Sequence, residues 1–298
     1  MSRLYEALQR ADLERKNTPA QEEIPVVEPV AVSSIDEPQL PQTEITIEGI
    51  ARHAWTPSSA SFPTLADRGE GVEQFRSLRS RIYQARYEAP LKTLLISSGM
   101  PSEGKSFIAA NLAMNLARNT VNNILLIDGD LRRPTLHSLL GAPNTPGLTE
   151  YLSGEAELAD ILQRDSTPAP AEDASSGTTS NLTFIPAGKC GDNSSELVAN
   201  HRVEELIATL SPHFDWILID SPPVLAVTDA VELAHAADAV LLIARGARTP
   251  YDVAQRTQAA FTNSRILGFV LNDVKEIPQR GYNYYDYYRG SAAASRTK

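Results

Sequence analysis

The chain has 298 residues, 27 of them Lys or Arg against 37 Asp or Glu, for a net charge of −10. That excess of acid argues against nonspecific binding to nucleic acid or to an anionic membrane, both of which are polyanions. A single cysteine, Cys190, excludes an internal disulfide framework, and no apolar run approaches the ~20 residues of a membrane-spanning helix, so a soluble, cytoplasmic protein is expected.

The N-terminus, MSRLYEALQRADLERK, places Leu4, Leu8 and Ala11 on one side of a short helix over residues 1–16. About four turns are not stable alone, so such a helix docks on something or frays. Residues 17–69 then carry prolines 19, 25, 29, 38, 41, 57 and 63 among Glu, Ser, Thr and Val. This composition predicts an extended, disordered tether. The segment 71–89 returns to helical periodicity, with Val72, Phe75, Leu78 and Ile82 as the apolar stripe. Glu73, Arg76 and Arg79 recur at three-residue steps on a neighbouring stripe, where a solvated charged face is the default expectation.

From residue 93 strands and helices alternate. Strands are predicted at 93–97, 123–128, 182–186, 216–220, 239–244 and 265–271. Helices are predicted near 105–119, in pieces over 135–163, and at 195–210, 229–237 and 251–263. Near-continuous apolar strands separated by helices predict an α/β fold, a doubly wound, mostly parallel sheet covered on both faces. The low-complexity stretch 166–181 reads as a loop with no assignable function.

Three motifs carry chemistry. The first is Gly99-Met100-Pro101-Ser102-Glu103-Gly104-Lys105-Ser106-Phe107, a phosphate-loop pattern between an apolar strand and a helix marked by Ile108, Leu112 and Leu116. Backbone N–H groups of such a loop and the following helix N-terminus face a polyphosphate; Lys105 reaches its β- and γ-phosphates, and the Ser106 hydroxyl ligates Mg²⁺. The second is Ile-Asp128-Gly-Asp130-Leu-Arg132-Arg133-Pro and the third Trp-Ile-Leu-Ile-Asp220. Both put carboxylates at the carboxyl end of a buried strand, where a doubly wound sheet binds its ligand. Carboxylates beside a triphosphate require an intervening cation. The absence of an Asn-Lys-x-Asp guanine-reading motif favours ATP over GTP. The five histidines (53, 137, 201, 213, 235) show no paired metal-ligand spacing.

The chain closes, over 278–298, on a polar tail in which Tyr282, Tyr284, Tyr285, Tyr287 and Tyr288 supply half of its ten tyrosines. The run lacks aliphatic residues and lies between Gly281 and Gly290, as expected of an exposed, modifiable tail rather than core.

With the phosphate loop, the Asp128-x-Asp130-x-Arg-Pro motif, the strand ending in Asp220 and the tyrosine cluster, residues 70–288 resemble the bacterial tyrosine autokinases of capsule and exopolysaccharide synthesis. The first three motifs are shared with septum-site and plasmid-partitioning ATPases; the tyrosine cluster separates them, as does Gly99-Met100 where those relatives carry an extra lysine. The resemblance implies a kinase domain over 70–277 using ATP and Mg²⁺. It implies that Asp128 accepts the tyrosine proton, that Asp130, Asp220 and Ser106 associate with Mg²⁺, and that the tail tyrosines are phosphoacceptors. Glu73-x-x-Arg76-x-x-Arg79 looks like the family's oligomerisation motif, implying a homo-oligomeric ring. The N-terminus is similar to that of kinases recruited to the inner face of the membrane by a separate membrane-spanning chain-length determinant adaptor. A cognate tyrosine phosphatase is also implied, and no nucleic acid. The alternative is a nucleotide-switched positioning ATPase that transfers no phosphate to protein. One departure stands out: residues 185–197, IPAGKCGDNSSEL, replace the proline-rich segment that relatives carry before Ser-Glu-Leu.

Overall fold

A computed structural model describes residues 49–57, 61–65, 69–118, 121–166, 181–191, 194–199 and 201–274. The expected docking helix at 1–16 and the tyrosine-rich tail at 278–298 lie outside the described residues.

Among the described residues eight strands form one sheet: β1 (Ala51–His53), β2 (Thr93–Ser98), β3 (Ile124–Asp128), β4 (Gln163–Asp165), β5 (Leu182–Ile185), β6 (Trp216–Asp220), β7 (Ala239–Arg245) and β8 (Ile266–Asn272). Their order across the sheet is β1-β4-β5-β3-β6-β2-β7-β8. Every pairing is parallel except β4 with β5. The phosphate-loop strand β2 sits between β6 and β7, and β3 pairs with β6 in a register that sets Asp128 opposite Asp220.

Strands β2, β3, β5, β6 and β7 are buried along nearly their whole length because both faces are covered, and alternate residues serve opposite cores. Leu95, Leu125, Ile127, Ile217 and Ile219 pack with Leu148 and Leu152 of α4 (Leu148–Ser153), Leu206 and Leu210 of α7 (Arg202–Leu210) and Leu233 of α8 (Asp229–His235). Leu94, Ile96, Leu126 and Leu218 pack on the other face with α1 (Glu70–Glu88), α2 (Lys105–Ala117) and α3 (Leu136–Leu140). Short α5 (Leu158–Ile161) and α6 (Ser194–Val198) and the longer α9 (Tyr251–Ala260) complete the helices among the described residues. The stripe Val72, Phe75 and Ile82 is buried as its spacing predicts, and Tyr83 meets Trp216 edge-on at 5.5 Å, with Arg86 4.7 Å above the same ring.

The expectation of a tether over 17–69 fails for its last part. Residues 51–53 add a strand to the sheet edge beside β4, two short strands that the periodicity did not reveal. Trp55 and Phe62 are buried to 2% and 1% exposure, and Trp55 meets Phe184 edge-on at 6.1 Å. The Asn111 side chain in α2 donates to the Ser61 carbonyl and accepts from the Thr64 hydroxyl, both at 3.0 Å. Pro57 and Pro63 therefore punctuate a folded strap rather than a free linker. Three-residue strands offer too short an alternation to detect, and two aromatic residues among prolines do not produce a periodic signal.

Candidate active site

The loop from Gly99 to Gly104 leaves β2 and enters α2, whose axis begins at Lys105. Gly104 has φ +94°, and a Cβ there would strike the Asn272 side chain, so both its backbone and its neighbour require glycine. Glu103 does not face a ligand. It is buried, accepts from the Met100 N–H at 2.8 Å and from the Thr249 hydroxyl, and thereby closes the loop on itself. Asn272 donates to the Glu103 carbonyl at 2.9 Å, and Arg245, paired with Asp273 at 2.7 Å, reaches the Ser102 carbonyl at 3.4 Å. Thr249, Arg245 and Asn272 thus tie the loop to β7, the turn that follows it, and β8. The sequence gives no signal for them, because their partners lie over 140 residues away.

The two acidic motifs meet the loop from the neighbouring strands. The Gly129 N–H donates to the Asp220 carbonyl at 2.8 Å, and a Cβ on Gly129 would come within 2.6 Å of that oxygen, so only glycine fits between the two aspartates. Asp128 is fully buried and accepts from the N–H groups of Asp130, Thr135 and Leu136 at 3.1–3.2 Å. Burial, reinforced by the charge of Asp220, pushes its pKa well above the carboxylate range, while the Leu136 N–H opposes the shift. Asp220 is also fully buried, and burial raises its pKa to about 6 against the pull of Lys105. The Ser106 hydroxyl and Ser221 N–H lie near enough to resist that shift. Yet no donor among the described residues reaches either Asp220 carboxylate oxygen in hydrogen-bond geometry. Two orphaned buried acceptors beside a phosphate loop mark where a cation belongs.

Lys105 bridges loop and acidic motif, its Nζ 3.0 Å from Asp130. Burial works against its charge, but Asp220 and Asp130 outweigh burial and hold the ammonium above its ordinary pKa. Around this pair opens a cleft of about 800 Å³, within the range of small-molecule sites. Its walls are formed by Pro101, Ser102 and Gly104–Phe107 of the loop and α2, by Asp130, Arg132, Arg133, Thr135, Ser138 and Leu139 after β3, and by Pro222, Pro223, Ala226 and Val227 after β6. Gly99, Asp128 and Asp220 lie behind these walls: Gly99 packs against Thr257 and Val253 of α9. Among the described residues no three His, Cys, Asp or Glu converge as a self-sufficient metal site. Asp130 and Asp220 are the carboxylates that could hold Mg²⁺, an ion that needs only one or two beside waters and substrate phosphates.

Arg132 and Arg133 part company here. The Arg132 guanidinium is held by Asp229 of α8 at 3.0 Å and by Ser195 of α6, and Asp229 holds it above its usual pKa. Arg133 instead fixes the turn, its N–H donating to Asp130 at 3.0 Å. On α1, away from the cleft, Glu73 and Arg76 pair with each other on the exposed surface, while Arg79 donates to the Asn115 carbonyl at 2.9 Å. The segment after β5 is pinned to the start of α4. Leu148 and Thr149 donate N–H groups to Pro186 and Ala187, and buried Glu150 accepts from Lys189.

The chain is 32% identical over 215 residues to tyrosine-protein kinase YwqD of Bacillus subtilis, across 72% of this chain and 85% of that protein. The chain belongs to the bacterial tyrosine-protein kinases. To tyrosine-protein kinase wzc of Salmonella typhimurium it is 34% identical over 220 residues, which cover 72% of this chain but 29% of wzc, so it spans under a third of that relative. The solved kinase domain of Escherichia coli tyrosine kinase ETK aligns with a TM-score of 0.64 at 30% identity, covering 78% of this chain and 86% of that one. No family model matches the chain. The α/β phosphate-loop fold expected from the sequence is the fold of this family. No helix among the described residues is long and apolar enough to cross a membrane.

Proposed function

We propose that the chain is an ATP- and Mg²⁺-dependent protein-tyrosine autokinase that phosphorylates Tyr282, Tyr284, Tyr285, Tyr287 and Tyr288 of neighbouring copies and regulates the length or export of an exopolysaccharide. The observation that carries this reading is the Lys105–Asp130 pair at the mouth of the phosphate loop, backed by the two Asp220 oxygens that no donor among the described residues reaches. The N–H groups of residues 102–106 face the polyphosphate, and Lys105 exchanges Asp130 for a phosphate oxygen. Ser106, with Asp130 and Asp220 acting directly or through water, would hold Mg²⁺, which neutralises charge on the β- and γ-phosphates. The tyrosine oxygen bonds to the γ-phosphorus as the bond to the ADP oxygen breaks and its electron pair leaves with ADP. Asp128 takes the phenolic proton, a role its raised proton affinity suits. Because Asp128 is buried beneath the 128–136 turn, that contact requires the turn to shift when substrate enters.

In this reading Glu73, Arg76 and Arg79 contact the next subunit of a ring. A separate membrane-spanning adaptor engages residues 1–16 and brings the kinase to the inner face of the membrane, and a cognate phosphatase resets the tail. The test is phosphotyrosine mass spectrometry of the full chain incubated with Mg-ATP, beside Lys105→Met. Phosphate on residues 282–288 that disappears in Lys105→Met is expected. ATP hydrolysis with an unmodified tail, even after addition of the adaptor's cytoplasmic segment, would replace this reading with a nucleotide-switched ATPase. For the ring, Arg76→Ala with Arg79→Ala should retain nucleotide binding but sediment as monomer; unchanged assembly would remove α1 from the interface.

A further inference from the structure

Asp229 opens α8 almost fully buried, and both its oxygens are used: Arg132 Nε donates to Oδ2 at 3.0 Å and the Ser195 hydroxyl to Oδ1 at 2.7 Å. Arg132 Nη2 closes the ring by donating to Ser195 Oγ. Three elements distant in sequence thus fix one guanidinium at the cleft wall, with its side chain 39% exposed and its Nη1 group outside this ring of bonds. A guanidinium held in one orientation is suited to a carboxylate or a phosphate, because little freedom is lost when it binds. Its bonds to α6 and α8 hold it on the wall of the cleft that also takes in the phosphate loop, where a segment entering beside the nucleotide can meet it. A neutral tyrosine makes no use of a cation there, whereas an acidic segment entering a cleft that already holds Asp130 and a nucleotide polyphosphate meets like charge that a rim cation offsets. The tail sets Asp286 between Tyr285 and Tyr287, and each phosphorylated tyrosine adds about −1.5 to −2 charges beside the next acceptor.

We propose that Arg132 is the specificity-determining cation for the acceptor segment, taking the carboxylate or phosphate that flanks the acceptor tyrosine, with Ser195 and Asp229 as its positioning residues. The proposal rests on the tyrosine-kinase reading above. It gives a role to the serine of the Ser-Glu-Leu segment, and it makes tail phosphorylation self-promoting, since each product primes its neighbour.

The test titrates full-length chain, with Mg-ADP present, against the labelled peptide GYNYYDYYRG. Two further peptides carry Asn in place of the aspartate that corresponds to Asp286, or phosphate on the tyrosine that corresponds to Tyr285. All variants keep the same tail, so its competition cancels in the ratios. Ser195→Ala should weaken the parent peptide by about three- to tenfold, and Ser195→Thr, which keeps the hydroxyl, should restore it. The Asn peptide should bind wild type as weakly as the parent peptide binds Ser195→Ala, with no further loss when both changes combine. The phosphopeptide should bind wild type more tightly than the parent peptide and lose that gain in Ser195→Ala. Transfer kinetics should show the same ratios in the peptide's KM, with the KM for ATP unmoved. Absence of peptide binding, or losses that ignore peptide charge, would overturn the proposal and reduce the ring of bonds to a tie between α6, α8 and the turn. Charge-dependent binding without any transfer would instead overturn the kinase reading and leave the recognition role standing.

Discussion

Glu103→Ala isolates the feature of the phosphate loop that its sequence pattern conceals. The side chain is buried and accepts from two donors, the Met100 N–H and the Thr249 hydroxyl. Removing it leaves both part-buried donors without that acceptor, at about 1–3 kcal/mol each. Water admitted by the smaller side chain recovers part of this, so a net loss of about 2–3 kcal/mol is expected. For a fold of this size that lowers Tm by about 4–12 °C. The functional effect exceeds the thermal one, because the loop's N–H groups must be pre-aimed to bind phosphate: Mg-ATP affinity should fall about ten- to a hundredfold. Calorimetric titration of ATP and differential scanning calorimetry on the same samples separate the two. Glu103→Gln, which keeps an oxygen for Met100, should lie between parent and Glu103→Ala. A lowered Tm with unchanged ATP affinity would refute the view that Glu103 shapes the loop for its ligand.

Asp220 predicts a pH signature. Its folded pKa, about 6, lies above the ordinary carboxylate value, so folding favours the protonated form; its contribution to stability is full at low pH and lost as pH rises from about 4 through 6. The thermal shift produced by Mg-ADP should accordingly be larger at pH 7.5 than at pH 5.5, whereas Asp220→Asn should raise apo-protein Tm at pH 7.5 and flatten that difference. Equal shifts at both pH values in the parent would contradict the assignment. The strap predicts that Trp55→Ala costs about 3–5 kcal/mol, as for other buried aromatic truncations. A chain starting at residue 70 should consequently melt well below one starting at residue 45, measured by circular dichroism; coincident melts would show the strap to be dispensable.

The sequence by itself determined the phosphate-loop pattern and the two acidic strand ends that the fold brings together. Gly99–Ser106 between an apolar strand and a helix, and Asp128 and Asp220 at strand ends, are local patterns in which residue type, spacing and flanking periodicity all agree, and the doubly wound topology then brings them to one edge. The stripe Val72, Phe75 and Ile82 was legible for the same reason, since burial of one helix face leaves a four-residue rhythm. Tertiary structure alone decided what depends on partners remote in the chain. Residues 49–65 read as linker because their prolines outweigh two aromatic anchors, and only the pocket formed by α2 and Phe184 gives those anchors a place. Glu103 read as one residue of the phosphate-loop pattern until Thr249 supplied its partner from the turn after β7. Arg132 and Arg133, adjacent and chemically identical, were separated only by Asp229 and Ser195, 97 and 63 residues away. Periodicity and motif spacing record what a residue shares with its neighbours along the chain; which side chain receives a hydrogen bond across the sheet is set by packing, and packing leaves no trace in local spacing.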